Sequence, residues 1–100
     1  TRVLVSPAGH IKEIGKDLRV WNGVDTGVFR MTESVFRAVE HLRDRLGAEV
    51  SITEVVRFIV AGGALFATCD VSGMFWADVD TLEDYRSVEI LMRETYGERI

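Results

Sequence analysis

The sequence predicts an α/β chain, α+β if its 100 residues stand alone, with a mixed sheet and flanking helices. Three observations carry that expectation. The N-terminal third consists of short apolar runs separated by turn residues, which is how strands read. The remainder holds stretches in which apolar residues recur at three- and four-residue steps, which is how amphipathic helices read. Capping residues and glycines bracket those stretches at the places where helices start and stop.

Taken in order, Arg2 to Ser6 forms a strand, Pro7-Ala8-Gly9-His10 a turn, and Ile11 to Ile14 the returning strand of a hairpin. Gly15-Lys16-Asp17 breaks the pattern. Val24 to Met31 reads as a third strand, with Gly27 marking a bulge or a close backbone approach. Thr32 is a candidate N-cap for a helix to about Leu46, whose stripe is Val35, Phe36, Val39, Leu42 and Leu46, and Gly47 ends it. Ser51-Ile52-Thr53-Glu54 is a capping box. The helix it opens is apolar on most sides, predicts deep burial, and stops at Gly62-Gly63. Leu65 to Val71 is a strand candidate, and Gly73-Met74-Phe75-Trp76 a further extended piece. Thr81-Leu82-Glu83-Asp84 starts a last helix with an acidic first turn that suits the helix dipole. Tyr85, Val88, Leu91, Met92 and Tyr96 form its apolar face and Gly97 its stop. The predicted order is β-β-β-α-α-β-α.

Composition narrows the function. Hydrophobic residues at 47% and charged residues at 28% are globular values and exclude intrinsic disorder. No apolar run approaches the roughly 18 residues of a membrane span, and no signal-peptide pattern opens the sequence. The single cysteine, Cys69, cannot form an internal disulfide, which fits a reducing, cytoplasmic setting. It is expected to be a buried small hydrophobe. A net charge of −4 argues against coating nucleic acid. With one proline, no linker and no repeats, residues 1–100 read as a single unit. A chain this short supplies few walls for a two-substrate site.

Two segments could carry chemistry. In Gly73 to Tyr85, Asp78 and Asp80 alternate along an extended backbone just before a helix, so their side chains are expected on opposite faces. One of them can face a cleft at the strand end, where α/β folds bind ligands. Mg²⁺ takes one or two carboxylates together with substrate phosphates, and an aspartate at such a turn suits it. The alternative is that Asp80 caps the helix and Asp78 is a solvated turn residue. In Val24 to Phe29, Asp25, Thr26 and Gly27 interrupt an apolar strand. They read either as a contact to sugar or polyol hydroxyls, with Gly27 admitting the ligand to the backbone, or as an edge strand with a bulge. Lys12 and Lys16 could each meet a phosphate as a point charge or be surface lysines. His10 and His41 lack a second ligand at metal spacing. Trp21, Phe75 and Trp76 are expected in a core or pocket wall. No G-x-S-x-G, P-loop or G-x-G-x-x-G motif occurs.

The segments I-G-K-D-L, G-V-D-T-G-V-F and G-M-F-W-A-D-V-D-T-L-E-D-Y, in this order, resemble the C-terminal half of a sugar-1-phosphate-type nucleotidyltransferase. Within that superfamily they are most similar to the CTP:inositol-1-phosphate cytidylyltransferases. The resemblance runs from about Val3 to about Arg93. It implies the C-terminal part of a Rossmann-like nucleotidyltransferase domain, the acceptor-binding half. The family's G-x-G-x-R loop, its downstream lysine and its first metal aspartate have no counterpart in these residues, so the N-terminal nucleotide-binding half is absent and the isolated chain is expected to be inactive.

Residue by residue, the resemblance implies Asp80 as a Mg²⁺ ligand when aligned on V-D-T, or Asp78 when aligned on the W-x-D-x-G-T form of related enzymes. Asp80 is preferred, with Asp78 kept beside it. Asp25, Thr26 and Gly27 fall where the acceptor pocket is lined, Lys16 where relatives bind the acceptor phosphate, and Trp76 at a pocket wall. The implied substrates are a nucleoside triphosphate and a polyol- or sugar-1-phosphate. The missing half, or a second copy across an exposed sheet edge, is the expected partner, with no nucleic acid and no membrane segment. The competing expectations are a non-catalytic binding or interaction module, and a structural α+β domain that pairs through its sheet edge.

Overall fold

A computed structural model describes residues 1–47 and 49–97. They fall into two compact units, Thr1–Asp70 and Val71–Ile100.

The first unit begins with a hairpin. Strands β1 (Arg2–Val5) and β2 (Ile11–Gly15) pair antiparallel. Their turn is closed by the Gly9 amide donating to the Ser6 carbonyl at 2.9 Å and the Ser6 amide donating to the His10 carbonyl at 2.8 Å. Gly9 sits at φ 83°, a left-handed value that glycine adopts without strain. The pairing contains a bulge: Leu4 faces Glu13 but Val5 faces Ile11, leaving Lys12 as the extra residue. Residues three apart on a regular strand point to opposite faces. The bulge cancels that half-period, and Ile11 and Ile14 both reach the core, at 8% and 2% exposure.

Strand β3 (Gly23–Val24) pairs antiparallel with the other side of β1, giving the order β2-β1-β3. Of the expected third strand over Val24 to Met31 only Val24 is in the sheet, and a side-chain bond bounds β3 on each side. Asn22 pairs with β1 through its side chain: Oδ1 accepts from the Val5 amide at 2.8 Å and Nδ2 donates to the Val5 carbonyl at 2.9 Å. Beyond Val24, Asp25 Oδ1 accepts from the Gly27 amide at 3.0 Å, and this tight turn, with Gly27 at φ 79°, leads the chain off the sheet. The three strands are antiparallel throughout, so the parallel pairing of a mixed sheet is not found among the described residues.

Helix α1 (Ser34–Leu46) starts later than expected. The Thr32 hydroxyl bonds the Ser34 hydroxyl at 2.7 Å instead of capping, and Glu33 occupies the cap position without a side-chain bond. Gly47 ends it in the left-handed conformation, as read. Helix α2 (Ile52–Ala61) opens at Ser51, whose Oγ accepts from the Glu54 amide at 3.2 Å. Successive helical residues point about 100° apart, and α2 uses this to serve two layers. Val56, fully buried, joins Val3, Ile11 and Ile14 against the sheet, while Val55 joins Ala38 and Leu42 of α1. That middle position explains its nearly all-round apolarity, although Arg57 is exposed.

The strand expected over Leu65 to Val71 shrinks to one bridge, His10 to Ala67. The Ile11 amide donates to the Phe66 carbonyl and the Thr68 amide to the Gly9 carbonyl, each at 2.8 Å. Farther along the same edge, Arg57 Nε takes the Ile14 carbonyl at 2.7 Å, an acceptor a longer strand would need. Cys69 is exposed, not buried as expected, because this short bridge leaves the following residues outside the core.

In the second unit, the expected extended piece at Gly73–Trp76 is not a strand. Gly73 lies at φ 85° and the Met74 amide donates to the Val71 carbonyl at 3.1 Å, which is a turn. Helix α3 (Leu82–Tyr96) follows, with Thr81 as N-cap in a full capping box with Asp84. None of its residues is buried, and its apolar face includes exposed Tyr85, Leu91 and Tyr96. Phe75 and Tyr96 meet edge to face at 5.8 Å, tying the loop to the helix.

Candidate functional site at one end of the sheet

Arg2 of β1 pairs with Gly15 on one side and with Val24 on the other. Both neighbours run antiparallel to β1, so β2 and β3 run parallel to each other and their C-terminal ends lie together. Two strand spacings put Gly15 and Val24 roughly 10 Å apart. Lys16 follows the first directly and Asp25-Thr26-Gly27 follow the second. The structure thus brings Lys16 and the Asp25–Gly27 turn to one end of one sheet.

The turn is built from its own polar atoms. The Asp25 amide donates to the Thr1 carbonyl at 3.0 Å, and its carboxylate holds the Gly27 amide. Asp25 and Thr26 are half-buried, while Gly27 is exposed with open space where a side chain would stand. A hydroxylated ligand can therefore approach the backbone here. Lys16 is exposed at the strand exit. Beneath that exit the Arg57 guanidinium lies against Gly15, where a Cβ would collide with it. Arg57 was not legible as a functional candidate, because it sits inside the apolar run of α2. The only hint was a charge on a helix that otherwise predicts burial.

The remaining expected residues belong to the second unit. Asp78 and Asp80 are exposed in the irregular segment before α3. The helix cap is Thr81, whose Oγ1 accepts from the Asp84 amide at 3.0 Å, and Asp84 Oδ2 in turn accepts from the amides of Asp80 and Thr81. The capping alternative for Asp80 is thereby removed: its backbone is held and its carboxylate is not spent on the cap. Among the described residues no cluster of three or more acidic, histidine or cysteine side chains could hold a metal ion. A site using one or two carboxylates and substrate phosphates fits that arrangement; an all-protein cage does not. Trp76 is 46% exposed, and Trp21, expected in a core or pocket wall, lies on the surface with the Arg2 guanidinium 5.2 Å from its ring centre. His41 stacks on Phe58 at 5.0 Å, an ordinary helix contact.

An antiparallel sheet with a helix packed on it defines an α+β segment whose polar residues gather at one sheet end. The curated relatives specify it further. A protein of Archaeoglobus fulgidus named bifunctional IPC transferase and DIPP synthase is 42% identical over 78 residues, 78% of this chain and 14% of that protein. Proteins of the same name from Rubrobacter xylanophilus and Aquifex aeolicus are 37% identical over 90 residues and 35% identical over 88. These cover 89% and 87% of this chain and 20% and 19% of the relatives. The chain is homologous to a segment of the bifunctional IPC transferase and DIPP synthases, and spans no more than about a fifth of their length. No family model and no solved structure matches it.

Proposed function

We propose that the polypeptide carrying these residues is a nucleotidyltransferase that moves a nucleotidyl group, CMP, from a nucleoside triphosphate to a polyol- or sugar-1-phosphate, inositol-1-phosphate, with release of pyrophosphate. Residues 1–100 act as its acceptor-binding half and are inactive alone. The observation that carries the reading is the shared sheet end, to which the topology brings a cation and a polar turn, one on each side of β1, as an acceptor with a phosphate and several hydroxyls requires.

In the reaction an oxygen of the acceptor phosphate attacks the α-phosphorus in line. The bond from that phosphorus to the bridging oxygen of the β-phosphate breaks, and the electron pair leaves with pyrophosphate. Lys16 binds and neutralises the acceptor phosphate. Asp25, Thr26 and the Gly27 backbone orient the hydroxylated ring. Such positioning is the larger part of catalysis in phosphoryl-type transfer. Asp80, with Asp78 beside it, would hold Mg²⁺, which supplies charge neutralisation to the phosphates when bound. The rest of the polypeptide, or a second copy along the sheet edge, completes the nucleotide side. The reading places the protein in the cytoplasm; among the described residues no helix is long and apolar enough to cross a membrane.

The test is pyrophosphate release from CTP and inositol-1-phosphate by the intact polypeptide. Release is expected, and Asp80→Ala should abolish it while the protein still melts cooperatively. Wild-type turnover in Asp80→Ala would refute the metal role. No release with this or any other nucleotide and sugar-phosphate pair would sink the enzyme reading.

A further inference from the structure

We infer that Arg57 is a positioning residue for the acceptor phosphate, acting through the exit of β2; the inference rests on the reading of Lys16 as the phosphate-binding cation. Gly15 has no side chain and is the most conformationally free residue at the point where the chain leaves the sheet. An edge strand with an unbonded carbonyl and a terminal glycine frays, and a cation mounted on it would sample many positions.

Arg57 removes both defects. Its Nε donates to the Ile14 carbonyl at 2.7 Å, a partly buried bond across 43 residues of sequence. Its Nη2 and Cζ lie where a Gly15 side chain would stand, so the guanidinium covers the glycine. The arginine is itself well anchored, because the preceding residue, Val56, is fully buried in the same cluster as Ile14. Only a planar fork fits this arrangement. One nitrogen bonds the carbonyl while the others spread over the adjacent residue, which a lysine ammonium cannot do. A methyl group at Gly15 would push aside Nη2, the far end of the arginine, while Nε, 3.9 Å from that position, has room to keep its bond to Ile14. The backbone at Lys16 is thereby fixed from α2, and the ammonium starts from a defined position relative to the Asp25–Gly27 turn.

The experiment is a double-substitution cycle in the intact polypeptide, reading KM for the acceptor phosphate and for the nucleotide separately. Arg57→Ala should raise the acceptor KM about tenfold, because loss of positioning acts on the ligand held there, and leave the nucleotide KM unchanged. Gly15→Ala, which displaces Nη2 but spares the Nε bond, should raise the acceptor KM less than Arg57→Ala does, again with the nucleotide KM unchanged. The double variant should be no worse than Arg57→Ala alone, since the added methyl then meets no guanidinium. Additive effects would overturn the inference, as would an unchanged acceptor KM in Arg57→Ala, or an equal rise in both constants, which would mark general loosening. A wild-type protein inactive with every substrate pair would overturn the proposed function and this inference with it. Wild-type turnover with an unaffected Arg57→Ala would overturn this inference alone.

Discussion

Replacing Asn22 by alanine should loosen the pairing of β1 with β3 by about 1–2 kcal/mol. The Asn22 carboxamide imitates a peptide group, accepting from the Val5 amide at 2.8 Å and donating to the Val5 carbonyl at 2.9 Å. A net hydrogen bond contributes about 0.5–1.5 kcal/mol. Both of these are reachable by solvent, so water replaces part of what is lost and the pair falls in the lower half of its summed range. An energy of that size changes an opening equilibrium roughly 5- to 30-fold. Amide hydrogen exchange of Val5 in the intact polypeptide should accelerate by that factor, whereas Leu42, buried beneath α2, should keep its rate. Asn22→Asp separates the two halves of the clamp: the acceptor survives, the donor is lost, and a carboxylate oxygen faces a carbonyl oxygen. It should be at least as damaging as alanine. Unchanged Val5 exchange in Asn22→Ala would refute the idea that a side chain extends this two-residue strand.

Two further outcomes follow from packing and capping. Ile14→Ala, at the most buried position of the sheet, should cost about 2–5 kcal/mol and lower the urea midpoint without changing the slope; a loss below 1 kcal/mol would mean the cluster around Val56 closes over the cavity. Thr81→Ala should destabilise the start of α3 by about 1 kcal/mol and speed exchange of the Asp84 amide, while Thr81→Ser retains most of the wild-type protection.

Much of the fold written in local chemistry was readable in the sequence, the Thr32 cap and the Gly73 turn excepted. Ser51, Thr81, Gly47 and the Pro7–His10 turn each act on neighbours within four residues, and each stands where it was expected. Two of the misreadings concern strand length. Val24 to Met31 and Leu65 to Val71 look like strands by composition, but strand length is set by the partner. Beside β3, Asn22 and Asp25 divert the pairing. Beside β2, Arg57 holds the Ile14 carbonyl, a bond from 43 residues away that no local window contains. The candidate site was legible as residue types at Lys16 and Asp25–Gly27. Their meeting at one sheet end was not, because it depends on β1 lying between two parallel neighbours.

The extra residue in β2 also bears on how such hairpins should be compared across species. With Lys12 looped out of the ladder, Ile11 and Ile14 are equivalent to residues two apart on an unbulged strand. A homologue that lacks this residue should carry its two inward apolar side chains at a spacing of two, and an alignment that forbids a gap at position 12 would set an apolar residue against a polar one. Spacing between those two positions is therefore a marker, readable from genomes alone, of whether a relative has kept the kinked hairpin or straightened it.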